Sequence, residues 1–340
     1  MLTLGIETSC DETSVALLRD ESEIVVNLIA SQVDAHQLYG GVVPEIASRK
    51  HLETLNPLLF AAQRKAGFEW KDLDLVAVTH GPGLVGALHV GVAAAKALAY
   101  AHNVPIQPVN HVEGHIVSNF LANPRLEFPM LCLVVSGGHT DLILMRAHGN
   151  YERLGKSRDD AVGEAYDKVA RALGLPLPGG PALEKAAVGG DARAFDFGVS
   201  KLENSLDFSY SGLKTAGAQA IARHPERVAD VAASFQRAAI KQLSNTVARA
   251  IAFCRDHGVA PQTLGLCGGV AANGALRTRL EEIAAVNSIE FVVPESILCT
   301  DNAAMIAAAG RYRFLAKPEE ERAYSLESLD FEAHSMLPVA

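Results

Sequence analysis

The sequence predicts an α/β protein built from two related halves. Three observations lead there. At 340 residues the chain exceeds what one hydrophobic core usually serves and suits two domains. Hydrophobic residues make up 49% and aromatics only 6%, with Ala, Gly, Val and Leu dominant, a mix that favours helices packed closely on sheets. One plan also occurs twice: an apolar strand, a small polar turn and a second apolar strand, at 2–19 and again at 130–146. That repetition reads as an internal duplication.

Residues 2–7 (LTLGIE) and 14–19 (SVALLR) flank the acidic turn TSCDET and predict a β-hairpin. Residues 23–31 (EIVVNLIAS) read as a third strand. From Pro44 to about Ala66 the apolar positions recur at helical spacing, with the proline where a helix starts. Residues 73–79 (LDLVAVT) give a strand, His80-Gly81-Pro82-Gly83 a turn, and an Ala-rich helix runs to about Tyr100. The strand IQPVN (106–110) leads straight into His111. In the second half, 130–136 (MLCLVVS) and 140–146 (TDLILMR) flank Gly137-Gly138-His139. Helices are expected over 163–174, 182–188, 210–223 and 226–257, with a hard break at Pro176-Leu177-Pro178-Gly179-Gly180-Pro181. Strand 263–267 (TLGLC) meets Gly268-Gly269-Val270-Ala271-Ala272-Asn273, which opens a helix over 274–285. A strand at 289–293 follows, a closing Ala-rich helix covers 302–316, and 326–340 reads as a polar tail. Domain boundaries are placed at 1–109, with the helix near 303–325 completing that half, and at 110–302.

Composition excludes several classes. The net charge of -9 gives no global basic field, so a nucleic-acid substrate needs a local patch or a partner protein. The cysteines (Cys10, Cys132, Cys254, Cys267, Cys299) form no CxxC and read as reduced, mostly buried thiols. The N-terminus resembles neither a signal nor a transit peptide. The longest apolar run, 86–101, is interrupted by His89 and Lys96 and is too short and polar to span a bilayer. A soluble, cytoplasmic protein without a membrane partner is expected.

The chemistry gathers around His111-Val112-Glu113-Gly114-His115. On a helix, imidazoles four residues apart share one face, the spacing a metal wants, although packing pairs share it too. The peptidase motif H-E-x-x-H puts its base directly after the first His, where Val112 stands. Glu113 lies about 200° round the helix and faces away. Asp301, at a helix start, is either an N-cap or a third ligand. Two His and one carboxylate leave open positions and suit Fe(II) or Zn²⁺. Asp11 and Glu12 are either solvated turn carboxylates or groups that position a Mg²⁺-bound water or a substrate. His139 is a turn residue or a phosphate contact, and Asp167 reads as helix-surface charge. Four turns follow apolar strands, at 8–13, 80–83, 136–139 and 268–273, and three carry glycines that let backbone N–H groups approach phosphate. None fits G-x-G-x-x-G or the P-loop. Together they suggest a cleft that holds a nucleotide.

The set GIETSCDETS (5–14), HGPGLVGAL (80–88), HVEGH (111–115), LVVSGGHTDL (133–142), GEAYDKVAR (163–171), LPGGP (177–181), FSYSGLKTA (208–216), CGGVAANGALR (267–277) and CTDNAAMIAAAG (299–310) resembles the TsaD (YgjD/Gcp) family. Its members are bacterial tRNA N6-adenosine threonylcarbamoyltransferases. The motifs arrive in order from about residue 2 to 315. The resemblance implies an actin/Hsp70-like (ASKHA) fold, two duplicated ribonuclease-H-like domains with a nucleotide cleft between them. It implies one divalent metal per subunit, Fe or Zn, on His111, His115 and Asp301. It implies threonylcarbamoyl-AMP as substrate, bound by Val134, Val135, Ser136, Gly137, Gly138, Asp167, Gly180 and Asn273, with Mg and ATP in an assembled complex. The reaction passes the threonylcarbamoyl group to N6 of adenosine 37 in tRNAs reading codons that begin with A, and releases AMP. An amine attacking an activated carbonyl needs no enzyme nucleophile, in keeping with the lack of a Ser-His-Asp or Cys-His signature. Asp11 or Glu12 would take the amine proton, and His139 joins them as a catalytic candidate. The implied partners are tRNA, a TsaB-like paralogue, a TsaE-like ATPase and a TsaC-type synthase. Arg193, Lys201, Lys214, Arg223, Arg237 and Lys241 are the cations considered for tRNA contact. Asp141 and Tyr210 stand where the family pattern has Gln and Phe. A metallo-endopeptidase on the His pair and an ATP-dependent kinase or switch of the same fold are the alternatives.

Overall fold

The computed structural model describes residues 1–37, 39–200, 202 and 205–339. The strands are β1 (Leu2–Glu7), β2 (Glu12–Arg19), β3 (Glu23–Ser31), β4 (Leu75–Gly81), β5 (Ile106–Asn110), β6 (Met130–Val135), β7 (Thr140–Ala147), β8 (Asn150–Lys156), β9 (Thr263–Cys267) and β10 (Glu290–Val292). The α-helices are α1 (Val33–Gln37), α2 (Pro44–Ala66), α3 (Val85–His102), α4 (His111–Ala122), α5 (Val162–Ala172), α6 (Gly179–Ala186), α7 (Ser211–Arg223), α8 (Val228–Asp256), α9 (Gly274–Asn287), α10 (Ser296–Cys299) and α11 (Ala303–Ala316). They sort into two compact units, Met1–Arg125 with the chain from Thr300 onward, and Leu126–Cys299. The sequence reading drew its boundaries after 109 and 302.

The first unit is a five-stranded sheet in the order β3-β2-β1-β4-β5. β1, β2 and β3 run antiparallel, and β4 and β5 lie parallel to β1. Side chains alternate between the faces of a strand, so one sheet can serve two helical layers. Leu4, Ile6, Val76 and Val78 pack with Leu55 and Leu59 of α2 and Val92 and Ala95 of α3. Leu18, Ala77 and Val109 pack with Met305, Ile306 and Ala308 of α11 and Val117 of α4. The last helix of the chain therefore completes the first unit.

The second unit repeats the plan. Its sheet runs β10-β9-β6-β7-β8, with β6, β7 and β8 antiparallel and β9 and β10 parallel to β6. Taken in its own order this is the same 3-2-1-4-5 arrangement as the first sheet, which establishes the duplication inferred from the two hairpins. Its core joins Leu131, Leu133 and Val135 to Tyr166 of α5 and to Phe235 and Val247 of α8.

Some elements differ from expectation. β8 is an edge strand whose residues NYERLGK are mostly exposed, so it lacks the apolar alternation that betrays a strand. α6 begins at Gly179, inside the Pro/Gly run, and α1 and α10 are single short turns. The stretch from 326 onward is not a loose tail. Leu329, Phe331 and Ala333 pack on the first unit's core, and Lys96 Nζ donates to Phe331 O at 2.5 Å. Among the described residues no helix is long and apolar enough to cross a membrane, and all five cysteines are free thiols.

Candidate metal centre and substrate turns

Parallel sheets present their working residues at the carboxyl ends of their strands. In the first unit these ends supply Glu7 from β1, Thr79 from β4 and His111 directly after β5. Asn110 caps α4 by accepting from the N–H groups of Val112 and Glu113, which fixes where the helix starts. His111 and His115 then rise on one face with ring centroids 4.7 Å apart. Asp301 Oδ1 lies 3.1 Å from His115 Nε2 and 3.5 Å from His111 Nε2. Donors bound at about 2.0–2.1 Å around a tetrahedral cation sit roughly 3.3 Å from one another. The three side chains therefore fit a divalent metal, and their ligand atoms all fall within 4.8 Å of one another. His115 is fully buried, and its Nδ1 has no hydrogen-bond partner among the described residues. Asp301 is not the cap of α11; Asn302 is, accepting from Met305 N–H at 3.1 Å.

Glu7 is the candidate site residue that sequence reasoning missed. It is completely buried; one oxygen accepts from Ser9 N–H, the other from Thr79 Oγ1 at 2.6 Å and from His111 Nδ1 at 3.0 Å. A carboxylate only accepts, so Nδ1 carries a hydrogen, and Nε2, toward Asp301, carries a second one when the ring is charged and a lone pair when it is neutral. Burial opposes charge on both groups. Even so, the His111 imidazole holds the Glu7 carboxyl below its usual range, and Asp301 and Glu7 raise His111 to about 9. The available signal was a carboxylate ending an otherwise apolar strand.

Asp11 and Glu12 lead into β2, both half-buried. Their turn is held by His51 of α2, whose Nε2 meets Cys10 O at 3.0 Å and Nδ1 meets Thr13 Oγ1 at 2.8 Å. Burial, then the charges of Asp301 and Asp11, push Glu12 up to about 9. Burial and the same neighbours push up the Cys10 thiol. Concentrated negative charge of this kind is relieved by a cation. Glu113 is buried on the other side of α4, paired with Arg313 of α11. It is not placed as a peptidase base. Gly114 between the histidines lets α4 lie against α11, since a Cβ there would come within 2.8 Å of Ile306 Cδ1. The turn at 80–83 is corrected from a phosphate approach to a fastening. His80 O accepts from His334 N–H at 2.7 Å, and Gly83 N–H donates to Ser335 O at 3.2 Å.

The second unit gathers its turns at the carboxyl ends of β6 and β9. Ser136 N–H donates to His139 O at 2.9 Å and Ser136 Oγ accepts from His139 N–H at 3.1 Å, closing the turn around Gly137 and Gly138. Both glycines are exposed, and a Cβ on either would meet nothing within 4 Å. Neither has a positive φ, so the turn itself does not demand glycine; open space beside the backbone is what they provide. The first turn of α5 abuts this one, with Gly163 N–H donating to Ser136 O at 3.2 Å. Gly268, at φ 89°, sits so close to the Val135 carbonyl that only glycine fits. Asp167 Oδ1 accepts from Gly179 N–H at 2.6 Å, and a Cβ on Gly180 would also meet open space. Asn273 caps α9 through Leu276 N–H at 3.0 Å and donates its Nδ2 to Gln236 Oε1 at 2.9 Å. Val134 and Val135 are fully buried strand residues that anchor the turn. Asp141 is buried and raised by that burial, partly offset by Arg153 and Lys156. The Tyr210 hydroxyl is buried without a hydrogen-bond partner among the described residues. Of the cations considered for tRNA contact, Lys214 is paired with Asp160, Arg193 and Arg223 are exposed, and Lys201 lies outside the described residues.

The chain is similar to known proteins in sequence and in fold. Residues 23–308 match the family model described as TsaD: tRNA N6-adenosine threonylcarbamoyltransferase. A protein of that name from Desulfitobacterium hafniense is 52% identical over 320 residues, covering 92% of each chain. Another, from Thermomicrobium roseum, is 47% identical over 369 residues, covering 100% of this chain and 97% of its own. Among solved structures, HypF of T. kodakarensis superposes with a TM-score of 0.62 at 17% identity, covering 95% of this chain and 49% of HypF, so this chain spans about half of that protein. Component A of the Acidaminococcus fermentans (R)-2-hydroxyglutaryl-CoA dehydratase gives 0.53 at 14% identity, covering 93% of this chain and all of that one. At such identities the likeness concerns the fold, which is of the actin/Hsp70-like class.

Proposed function

The chain belongs to the TsaD family of tRNA N6-adenosine threonylcarbamoyltransferases, and from that premise we propose that it forms threonylcarbamoyladenosine at position 37 of tRNAs reading codons that begin with A. The donor is threonylcarbamoyl-AMP. The acceptor N6 attacks the carbamoyl carbon, the bond from that carbon to the phosphate oxygen breaks, and AMP leaves with the electron pair. A carboxylate takes the proton lost by the amine. Asp11 and Glu12, side by side where the chain enters β2, are the candidates for that role. In the second unit, the Ser136–Gly138 turn, Asp167, Gly180 and Asn273 receive the adenylate, and His139 contacts its phosphate. His111, His115 and Asp301 hold the metal, with Glu7 orienting His111. When bound, a divalent metal supplies Lewis-acid polarisation of a phosphoryl or carbamoyl oxygen. Iron and zinc both suit this donor set.

The observation that carries the reading is the convergence of His111 and His115 of α4 with Asp301, from far along the chain, onto one point. His111→Ala, His115→Ala and Asp301→Ala should each lower bound metal and abolish tRNA modification. Elemental analysis together with mass spectrometry of nucleosides from treated tRNA checks this; normal metal occupancy in all three variants would overturn the ligand set. The net charge of -9 favours helper proteins for tRNA capture. A TsaB-like paralogue, a TsaE-like ATPase and a TsaC-type synthase are the partners proposed.

A further inference from the structure

In the second unit a cavity of about 600 Å³ opens between α8, α9 and the segment 187–192 that follows α6. Its floor is made of small or apolar residues such as Ala233, Ile240 and Ala275. Its polar lining is Gln236, Arg237, Lys241, Ser244, Asn245 and Arg279, with no carboxylate among the described residues. Arg237 and Lys241 stand four residues apart on α8, where two like charges repel unless something anionic lies between or beside them. Compensation within the protein is thin. Arg237 comes within 3.8 Å only of fully exposed Asp196, Arg279 pairs with exposed Glu282, and Lys241 has no ion pair among the described residues. Arg237 Nε is buried without a hydrogen-bond partner among those residues, a donor wanting an acceptor.

We propose that this groove holds the phosphate backbone of the tRNA acceptor. The inference rests on the transferase reading above and adds where the polynucleotide lies. From Arg237 to Asn245 the donors run along eight residues of helix, about 12 Å at 1.5 Å per residue. A row of that length suits a chain of phosphates, whereas a single phosphate is satisfied by one guanidinium fork. In a chain of net charge -9, a groove lined by three cations, with no acid among the described residues, offers a polyanion a local basic patch. Its wall also touches the proposed nucleotide site. Gln236, in the groove lining, accepts from Nδ2 of Asn273, the residue that caps α9. Backbone contacts of this kind position the acceptor and carry no sequence information.

The test is steady-state modification of tRNA by the full-length protein with its partners and threonylcarbamoyl-AMP, read by nucleoside mass spectrometry over a range of salt. The double variant Lys241→Ala/Arg279→Ala should raise KM for tRNA about tenfold and reduce the salt slope by roughly 1.5 to 2, as two phosphate contacts are lost. Its kcat and its KM for the adenylate should stay within about twofold of wild type. Lys241→Arg should retain the wild-type KM. Arg49→Ala/Lys71→Ala, which removes two cations from the first unit, should change neither parameter. An unchanged tRNA KM and salt slope in the groove variant would overturn the proposal. So would a raised adenylate KM with tRNA KM unchanged, which would make the groove a small-molecule phosphate site. A wild-type protein that forms no modified adenosine would instead defeat the transferase reading itself.

Discussion

At the scale of single residues, Glu7 decides how His111 is presented. Its carboxylate fixes the hydrogen on Nδ1, and Thr79 and the Ser9 backbone fix the carboxylate in turn. Groups that orient a ligand from behind typically contribute 10–100-fold in metal affinity. Glu7→Gln keeps the shape but offers an amide where an anion stood, so metal affinity should fall by about that factor with the fold intact. Titration of the chelated protein with Zn²⁺ checks it, and wild-type affinity would mean that Glu7 is only a buried structural acid. HVEGH was legible in the sequence because its spacing is local. Glu7 was not, because its meaning depends on β1, β4 and β5 ending side by side, and one strand's pattern does not carry that.

At the scale of elements, the centre depends on α4 and α11 keeping their register. Gly114 permits the close approach, and the Glu113–Arg313 pair bridges the two helices. Removing one partner of a buried pair strands the other charge. Arg313→Met should cost about 2 kcal/mol, less than for a fully buried pair because Arg313 is partly exposed. Urea unfolding measures that loss, and an effect under about 0.5 kcal/mol would reduce the pair to a surface contact. Element type was mostly readable. α2, α3 and α8 announce themselves by length and period, and β1, β6 and β9 by short apolar runs. β8 was hidden because an exposed edge strand has no face that must be apolar. The role of the turn at 80–83 was hidden as well, because the residues that occupy its backbone come from the other end of the chain.

At the scale of the whole molecule, two copies of one five-stranded plan have diverged in what they carry. The proposed metal ligands and their supporting acids all belong to the first unit, and the open glycine turns to the second. A ligand stabilises the part of a protein that binds it. Chelation should therefore increase hydrogen exchange in α4 and across 300–316 while β6 and β9 keep their protection; equal loss in both units would contradict a centre confined to the first. The first unit is also discontinuous, its sheet made early and its covering helix α11 last. On the ribosome this inverts the usual sequence of events, in which the segment that emerges first folds first. The inner unit has all its residues by Cys299, while the outer sheet waits with Leu18, Ala77 and Val109 uncovered until α11 is synthesised. Released chains that end at Cys299 should show a protease-resistant core from 126 to 299 and a sensitive N-terminal segment, which makes the outer half the one exposed to chaperones and to degradation until α11 is in place.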